Sequence, residues 1–166
     1  MSPSDKVNQT EADLIAEAVV KIYELTGSNF DVAHTVGIIV PYRNQIATIR
    51  NTLDRYGIPA LHDITIDTVE RYQGSQRDYI LYGFTIQQYY QLNFLTDTVF
   101  EEDGALIDRK LNVAMTRARE HLLLFGNPDL LSAVPTFKEL LEYTQACGAY
   151  FKPSADLSDY KNIYSI

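Results

Sequence analysis

Only one cysteine, Cys147, occurs in the 166 residues. That excludes an intramolecular disulfide and any multi-cysteine zinc site, and it fits a reducing cytoplasm. The histidines His34, His62 and His121 do not cluster, so a histidine-based metal site has no support and none is expected. No apolar run approaches the ~18 residues of a membrane span. The first residues, Met1 to Lys6, lack the apolar stretch of a secretory signal. No G-x-S-x-G elbow is present, and no spacing of Asp and Glu singles out a carboxylate pair. The most informative absence is the phosphate loop. No G-x-x-x-x-G-K-[ST] stretch occurs, so the chain lacks the cradle that would hold ATP by itself.

Positive charge is also scarce. Lys and Arg number 14 against 22 Asp and Glu, for a net charge of -8. Tight non-specific nucleic-acid binding by the isolated chain is not expected, because neutralising phosphates needs clustered Lys and Arg. The charge is uneven, however. Asp97, Glu101, Glu102, Asp103 and Asp108 crowd one segment, and Arg109, Lys110, Arg117 and Arg119 follow at once. A local basic surface coexists with a negative total.

The hydrophobic content of 46% and mean hydropathy of -0.16 are those of a soluble globular domain. The length gives one domain, expected over residues 1–151, with a tail rich in Ser, Asp and Tyr over 152–166. From about Thr10 to Leu25 the pattern is an amphipathic helix. Ala12, Ile15, Ala16, Val19, Ile22 and Tyr23 share one face, and Glu11, Asp13, Glu17, Lys21 and Glu24 point away. Thr10 and Asp13 read as its capping pair, and Gly27 as its stop. Val36 to Val40 is a continuous apolar run, as in a strand covered on both faces. A helix with Ile46, Ile49, Leu53 and Tyr56 inward follows. Further strands are expected at Ile64–Thr68, Tyr79–Thr85 and His121–Phe125. Helices are expected at Arg109–Arg119 and about Pro135–Ala146. This alternation predicts an α/β fold with a mainly parallel sheet and crossover connections. The stretch from Gln87 to Gly104 reads as a variable surface insertion.

Three segments carry chemistry. Tyr42 and Arg43 follow the buried strand, and ligands collect beyond the carboxyl ends of strands in open α/β sheets. A Tyr face can stack on a base, and a guanidinium can fork onto phosphate oxygens. Taken alone, the pair reads more readily as a cap or surface feature than as a ligand site. Gln73-Gly74-Ser75-Gln76 follows a strand and a turn. Gly74 permits close backbone approach, and Gln76 carries an amide able to bind a ribose hydroxyl. In the helix from Arg109, helical geometry puts Leu111, Ala114, Met115 and Ala118 on the buried stripe. Arg117 and Arg119 fall on opposite flanks, so they cannot share one role.

In order, these segments resemble the second RecA-like domain of superfamily 1 helicases, in the branch of the nonsense-mediated-decay RNA helicase and the DNA-replication nuclease-helicases. Val36 to Gln45 matches the strand with a Pro-Tyr step that is motif IV. Thr68-Val69-Glu70-Arg71-Tyr72-Gln73-Gly74 matches the motif V core. Leu111-Asn112-Val113-Ala114-Met115-Thr116-Arg117-Ala118-Arg119 matches motif VI. The likeness runs from about Lys6 to Phe151. It implies a RecA-like three-layer sandwich lacking its own phosphate loop. It implies an ATP-dependent helicase within a larger chain, with Mg2+ and ATP bound mainly by a first RecA-like domain. Single-stranded DNA or RNA is the implied partner, with no membrane, and the implied compartment is the cytoplasm.

The resemblance also implies residue roles. Arg117 is the arginine finger on the γ-phosphate, and Arg43 a second phosphate-sensing arginine. Tyr42 packs on the adenine, and Gly74 and Gln76 form the ribose- and phosphate-facing turn. Thr68 and Val69 belong to the single-strand surface, while Asn112 and Arg119 orient motif VI. The chain departs from the family where Gln76 replaces the common Glu, and where Arg71 and Tyr72 replace a small residue and Phe. The isolated chain is expected to be inactive. The alternative reading is a non-catalytic interaction module that keeps the helicase fold.

Overall fold

The computed structural model describes residues 3–72, 76–96, 99–102 and 105–152; within the hairpin over 99–108 only the backbone is described before Asp108. Helix α1, Gln9–Thr26, buries Ala12, Ile15, Ala16, Val19 and Ile22 on one stripe. Its cap is Asn8, whose side chain accepts from the Glu11 N–H at 3.0 Å, and not the Thr10 and Asp13 pair. Asn8 wins because capping needs extended backbone just outside the helix, and its φ of -130° and ψ of 101° supply it. Gly27, at φ 53°, ends the helix. Glu11, expected to face water, is instead buried.

Strand β1, Val36–Val40, is buried at every position. It pairs in parallel with β2, Thr65–Thr68, on one side and β3, Arg77–Gly83, on the other. A strand with neighbours on both edges and helices on both faces has no use for alternation, which explains its unbroken apolar run. Helix α2, Arg43–Asp54, buries Ile49 and Leu53 against α1 and the sheet. Tyr56, expected inward, lies beyond the helix and is exposed. Strand β6, Ala118–Phe125, completes the sheet in the order β2-β1-β3-β6, all parallel.

Between β3 and β6 lies the stretch expected as a surface insertion. It holds a 3-10 turn at Tyr89–Gln91, helix α3 at Leu92–Thr96, and an antiparallel hairpin of β4, Val99–Glu102, with β5, Ala105–Asp108. Leu92 and Leu95 are buried in the core, so this segment is built into the domain rather than laid on it. Helix α4 spans Arg109–Arg117, and α5 and α6 follow at Pro128–Leu131 and Pro135–Ala146.

The sheet separates two apolar cores. Val36, Ile38, Val40 and Leu81 face α1 and α2. Ile39, Ile80, Tyr82 and Phe84 face the other way, toward Leu111, Ala114, Leu130 and Phe137. The result is the RecA-like α/β sandwich that the sequence predicts. Among the described residues, no helix is long and apolar enough to cross a membrane, and no cluster of three metal-ligating side chains exists. Residues 153–166, which contain most of the expected tail, lie outside the described residues.

At Thr85, just past β3, the backbone turns to φ 56°. Its N–H donates to both Glu11 carboxylate oxygens, at 3.0 and 2.9 Å, and its hydroxyl donates to Oε1 at 3.0 Å. Gly83 makes room, since a Cβ there would stand 2.5 Å from Glu11 Oε1. The buried carboxylate thus ties the first turn of α1 to the exit of β3. Burial pushes its pKa from the ordinary 4.5 up to about 8, against the Thr85 hydrogen bonds that lower it.

Candidate functional site

Helix α4 starts on Asp108, whose carboxylate accepts from the N–H groups of Lys110 at 2.8 Å and Leu111 at 3.3 Å. It ends two residues earlier than the helical pattern suggests, because Ala118 pairs with Arg77 in the sheet. The buried stripe is accordingly Lys110, Leu111 and Ala114. Met115, expected in the core, is 54% exposed. With no loop between α4 and β6, Arg117 stands at the amino end of β6, where the amino end of β3 also lies.

Seven side chains gather there. The Gln76 amide donates to the Thr116 carbonyl at 3.1 Å, tying the chain before β3 to the last turn of α4. Arg77 donates to the Gln76 carbonyl and to the Thr65 hydroxyl, both at 3.3 Å. Arg119 pairs with Asp78 at 3.7 Å, so its charge is met within the domain. Arg117 is half-buried, and its Nε–H is buried with no hydrogen-bond partner among the described residues. Tyr72, in the same neighbourhood, is 3% exposed. Burial raises the Tyr72 pKa, and the guanidinium charges of Arg77 and Arg117 partly offset this. The two arginines flanking Ala118 thus differ in their partners, and Arg119 lies in β6 and not on the helix flank expected for it.

Tyr42 and Arg43 lie elsewhere. They follow β1 at its carboxyl end, Tyr42 as the residue before α2 and Arg43 as its first, exposed residue. Ile39 of β1 is level with Tyr82 of β3 and Leu124 of β6. At the rise of a strand, that level is roughly 20 Å from Ala118. The expectation that Tyr42, Arg43, Gln76 and Arg117 line one gap is thus corrected. A helix that runs straight into a parallel strand delivers its last residue to the amino end, not the carboxyl end. Tyr42 is also only 5% exposed. Its ring stacks on Phe94 at 5.0 Å and 27°, and Lys110 Nζ sits 3.7 Å from the centre of the Phe94 ring. Thr68 and Val69, at the carboxyl end of β2, are buried too, at 5% and 9%. The Thr68 carbonyl accepts from the N–H groups of Arg71 and Tyr72, which turns the chain back along the sheet. Gly74 lies outside the described residues.

Sequence reasoning missed Arg77 as a member of the amino-end group. Its signal was its place, directly after Gln76 and at the head of a strand. It also missed Phe94 and Lys110 as the cover of Tyr42, because no local pattern links residues that far apart in the chain.

The sequence is similar to known proteins. Residues 2–129 match a family described as an AAA domain. A probable helicase of Dictyostelium discoideum is 34% identical over 118 residues, covering 69% of this chain and 11% of that protein. Regulator of nonsense transcripts 1 of the same organism is 33% identical over 141 residues, or 82% of this chain and 10% of that protein. Human RNA helicase Mov10l1 is 35% identical over 123 residues, or 71% of this chain and 9% of that protein. The chain spans about a tenth of the length of these curated relatives. With its RecA-like sheet and its motif VI helix ending at Arg117, the chain belongs to the AAA domain family, in the C-terminal RecA-like region of superfamily 1 helicases of the nonsense-mediated-decay type.

Proposed function

We propose that this chain is the second RecA-like domain of an ATP-dependent DNA or RNA helicase and that Arg117 is its arginine finger. The observation that carries this reading is the state of Arg117. It is half-buried at an exposed rim, its Nε–H has no partner among the described residues, and the neighbouring Arg119 takes the nearby carboxylate of Asp78. A guanidinium held this way fits an incoming anionic phosphate, which it can fork with two donors. ATP with Mg2+, held mainly by the first RecA-like domain, supplies the γ-phosphoryl bond whose hydrolysis drives the cycle.

The residues of this chain then act in sequence. Closure of the two domains brings Arg117 to the γ-phosphate, where its charge stabilises the transition state. Gln76, fixed to the Thr116 carbonyl through its Nε2, holds the last turn of α4, and its amide oxygen serves as the acceptor for a ribose hydroxyl. Gly74, which lies outside the described residues, is assigned the phosphate-facing role beside Gln76. At the other end of the sheet, Arg43 and the positive end of α2 suit a backbone phosphate of single-stranded DNA or RNA. Buried Thr68 and Val69 support that face from below. Tyr42 serves as its packed floor rather than as an adenine platform.

The test is Arg117→Ala in the full-length protein. Turnover of ATP stimulated by single strands falls by on the order of 10³-fold or more. A variant that turns over at the parental rate ends the finger assignment, and a parent with no strand-stimulated turnover supports the non-catalytic module instead.

A further inference from the structure

Strands β2 and β6 are the two edges of the sheet, and they are unlike. β2 has four residues, Thr65-Ile66-Asp67-Thr68, short and polar as an open edge tends to be. β6 has eight, and beyond Glu120 it holds no Asp, Glu, Lys or Arg. Leu122 and Leu124 pack on one core, and Leu123 and Phe125 on the other. Apolar on both faces, this run has the pattern of the central strand β1, which is buried at every position. Yet every residue from His121 to Phe125 is only half-buried.

The backbone at this edge is open as well. The Phe84 N–H donates to the Phe125 carbonyl at 2.9 Å, so the backbone groups of Phe125 face β3. Alternation along the strand then turns those of Leu123 toward β3 and those of Leu122 and Leu124 outward. Among the described residues no further strand pairs with them. We propose that the free edge of β6 docks one more strand, parallel to β6 and joined to the amino end of α1 in the parent polypeptide. The inference rests on the reading above in one respect, that this chain is a domain of a longer protein.

Topology selects that occupant. α1 and α2 pack on the same face of the sheet, and the connection β1-α2-β2 crosses it in the direction from β6 to β2. A strand outside β6 that led through α1 into β1 would cross the same face in the same direction. The two crossovers then share one hand, as the right-handed rule for parallel strands requires. A strand outside β2 leading into α1 would have the opposite hand. α1 already lies against β3 and β6, where such a crossover must run. Its first turn is tied by Glu11 to Thr85, at the carboxyl end of β3. The carboxyl end of the added strand is two strand spacings from there, roughly 10 Å. A short connection spans that distance. Flanked by both cores, the added strand is apolar on both faces.

Amide hydrogen exchange, read residue by residue in the full-length protein, tests the proposal. The N–H groups of Leu122 and Leu124 exchange within about tenfold of the rate at Leu123, which is bonded to β3 and reports an intact sheet. In this chain alone Leu122 and Leu124 exchange faster by on the order of 10²-fold or more. Extending the chain by the roughly 20 parental residues ahead of it restores their protection. Fast exchange at Leu122 and Leu124 beside a slow Leu123 in the full-length protein overturns the proposal. Protection already present in this chain alone does the same. If it grows with protein concentration, a second copy holds the edge; if it vanishes on truncation after Lys152, the C-terminal segment does. An extension that leaves both leucines fast assigns the edge to another part of the parent, and it too defeats the proposal. Full turnover in Arg117→Ala ends the finger reading alone, with this exchange pattern unchanged.

Discussion

The side-chain amide of Gln76 donates to the backbone carbonyl of Thr116 across 40 residues of chain. Thr116 lies in the last turn of α4, where carbonyls have no partner within the helix and carry its partial negative charge. An amide N–H is suited to that place, and a carboxylate is not. Gln76→Glu removes the donor and sets an anion against the carbonyl. The variant loses about 1 kcal/mol of stability, read as a lower urea midpoint with an unchanged slope. Gln76→Ala loses less, because it adds no repulsion. Equal stability of the Glu variant and the parent would mean that the amide contributes nothing at this position.

Glu11 gives the fold a pH dependence of definite sign. Its pKa is raised by burial from 4.5 to about 8 in the folded chain. Between those values the folded state keeps a proton that the unfolded state has released. Stability is therefore fully present below about pH 4.5 and falls as pH rises toward 8, by at most ~1.4 kcal/mol per pH unit. Burial of Asp108 raises its pKa and adds the same sign, whereas exposed Asp31, held low by the Ala33 N–H and by His34, opposes it weakly. Urea midpoints measured from pH 5 to 8.5 decline for the parent. They flatten for Glu11→Gln, which keeps an acceptor for Thr85 and cannot ionise. A parallel decline in both proteins would place the titration elsewhere.

Gln45 joins α2 to the start of α1 and is fully buried. Its Oε1 accepts from the Asn8 N–H, and its Nε2 donates to the Asn8 carbonyl, each at 2.9 Å. Gln45→Ala leaves both backbone groups without that partner and opens a small void. A loss of about 2–4 kcal/mol follows, measured by chemical unfolding. Gln45→Glu keeps the acceptor only and buries a charge, so it fares no better than Ala. A loss under ~1 kcal/mol in the Ala variant would show that water replaces the bridge without penalty.

Much of this fold is legible in the sequence, for identifiable reasons. The unbroken run from Val36 to Val40 announces a central parallel strand, and Pro135 to Ala146 forms the helix that its period indicates. Local periodicity fails where a distant partner decides. Glu11 sits among helix-surface acids in the pattern, but Thr85, 74 residues away, buries it. Gln45 is polar on an apolar face because Asn8 needs both ends of its amide. Met115 completes a helical stripe in the pattern and is exposed, because the chain leaves the helix at Arg117 to pair in β6. The site follows the same division. The different surroundings of Arg117 and Arg119 come from the helix ending between them, which the helical pattern, carried through Arg119, does not show. The separation of Tyr42 from Arg117 was readable from topology, since α4 runs directly into β6. The motif order pulled the other way, because it carries no information on which end of the sheet a residue reaches.

Tyr42 tests that separation most directly. Its ring is covered by Phe94, which is itself covered by Lys110 Nζ, and the Phe94 carbonyl accepts from the same ammonium at 3.2 Å. Removing the aromatic cover costs stability through the stacked pair. A double-mutant cycle of Tyr42→Leu with Phe94→Leu gives a coupling of about 1 kcal/mol. The same change exposes the Tyr42 face to any base that can reach it. If adenine belonged there, Phe94→Ala would tighten ATP binding by clearing the platform. The geometry predicts otherwise, because Arg117 and Gln76 stand at the opposite end of the sheet. In the full-length protein the affinity for a fluorescent ATP analogue should stay within about twofold of the parent. A severalfold gain, lost again in Phe94→Ala with Tyr42→Leu, would return Tyr42 to the nucleotide pocket and require a cleft that wraps both ends of the sheet.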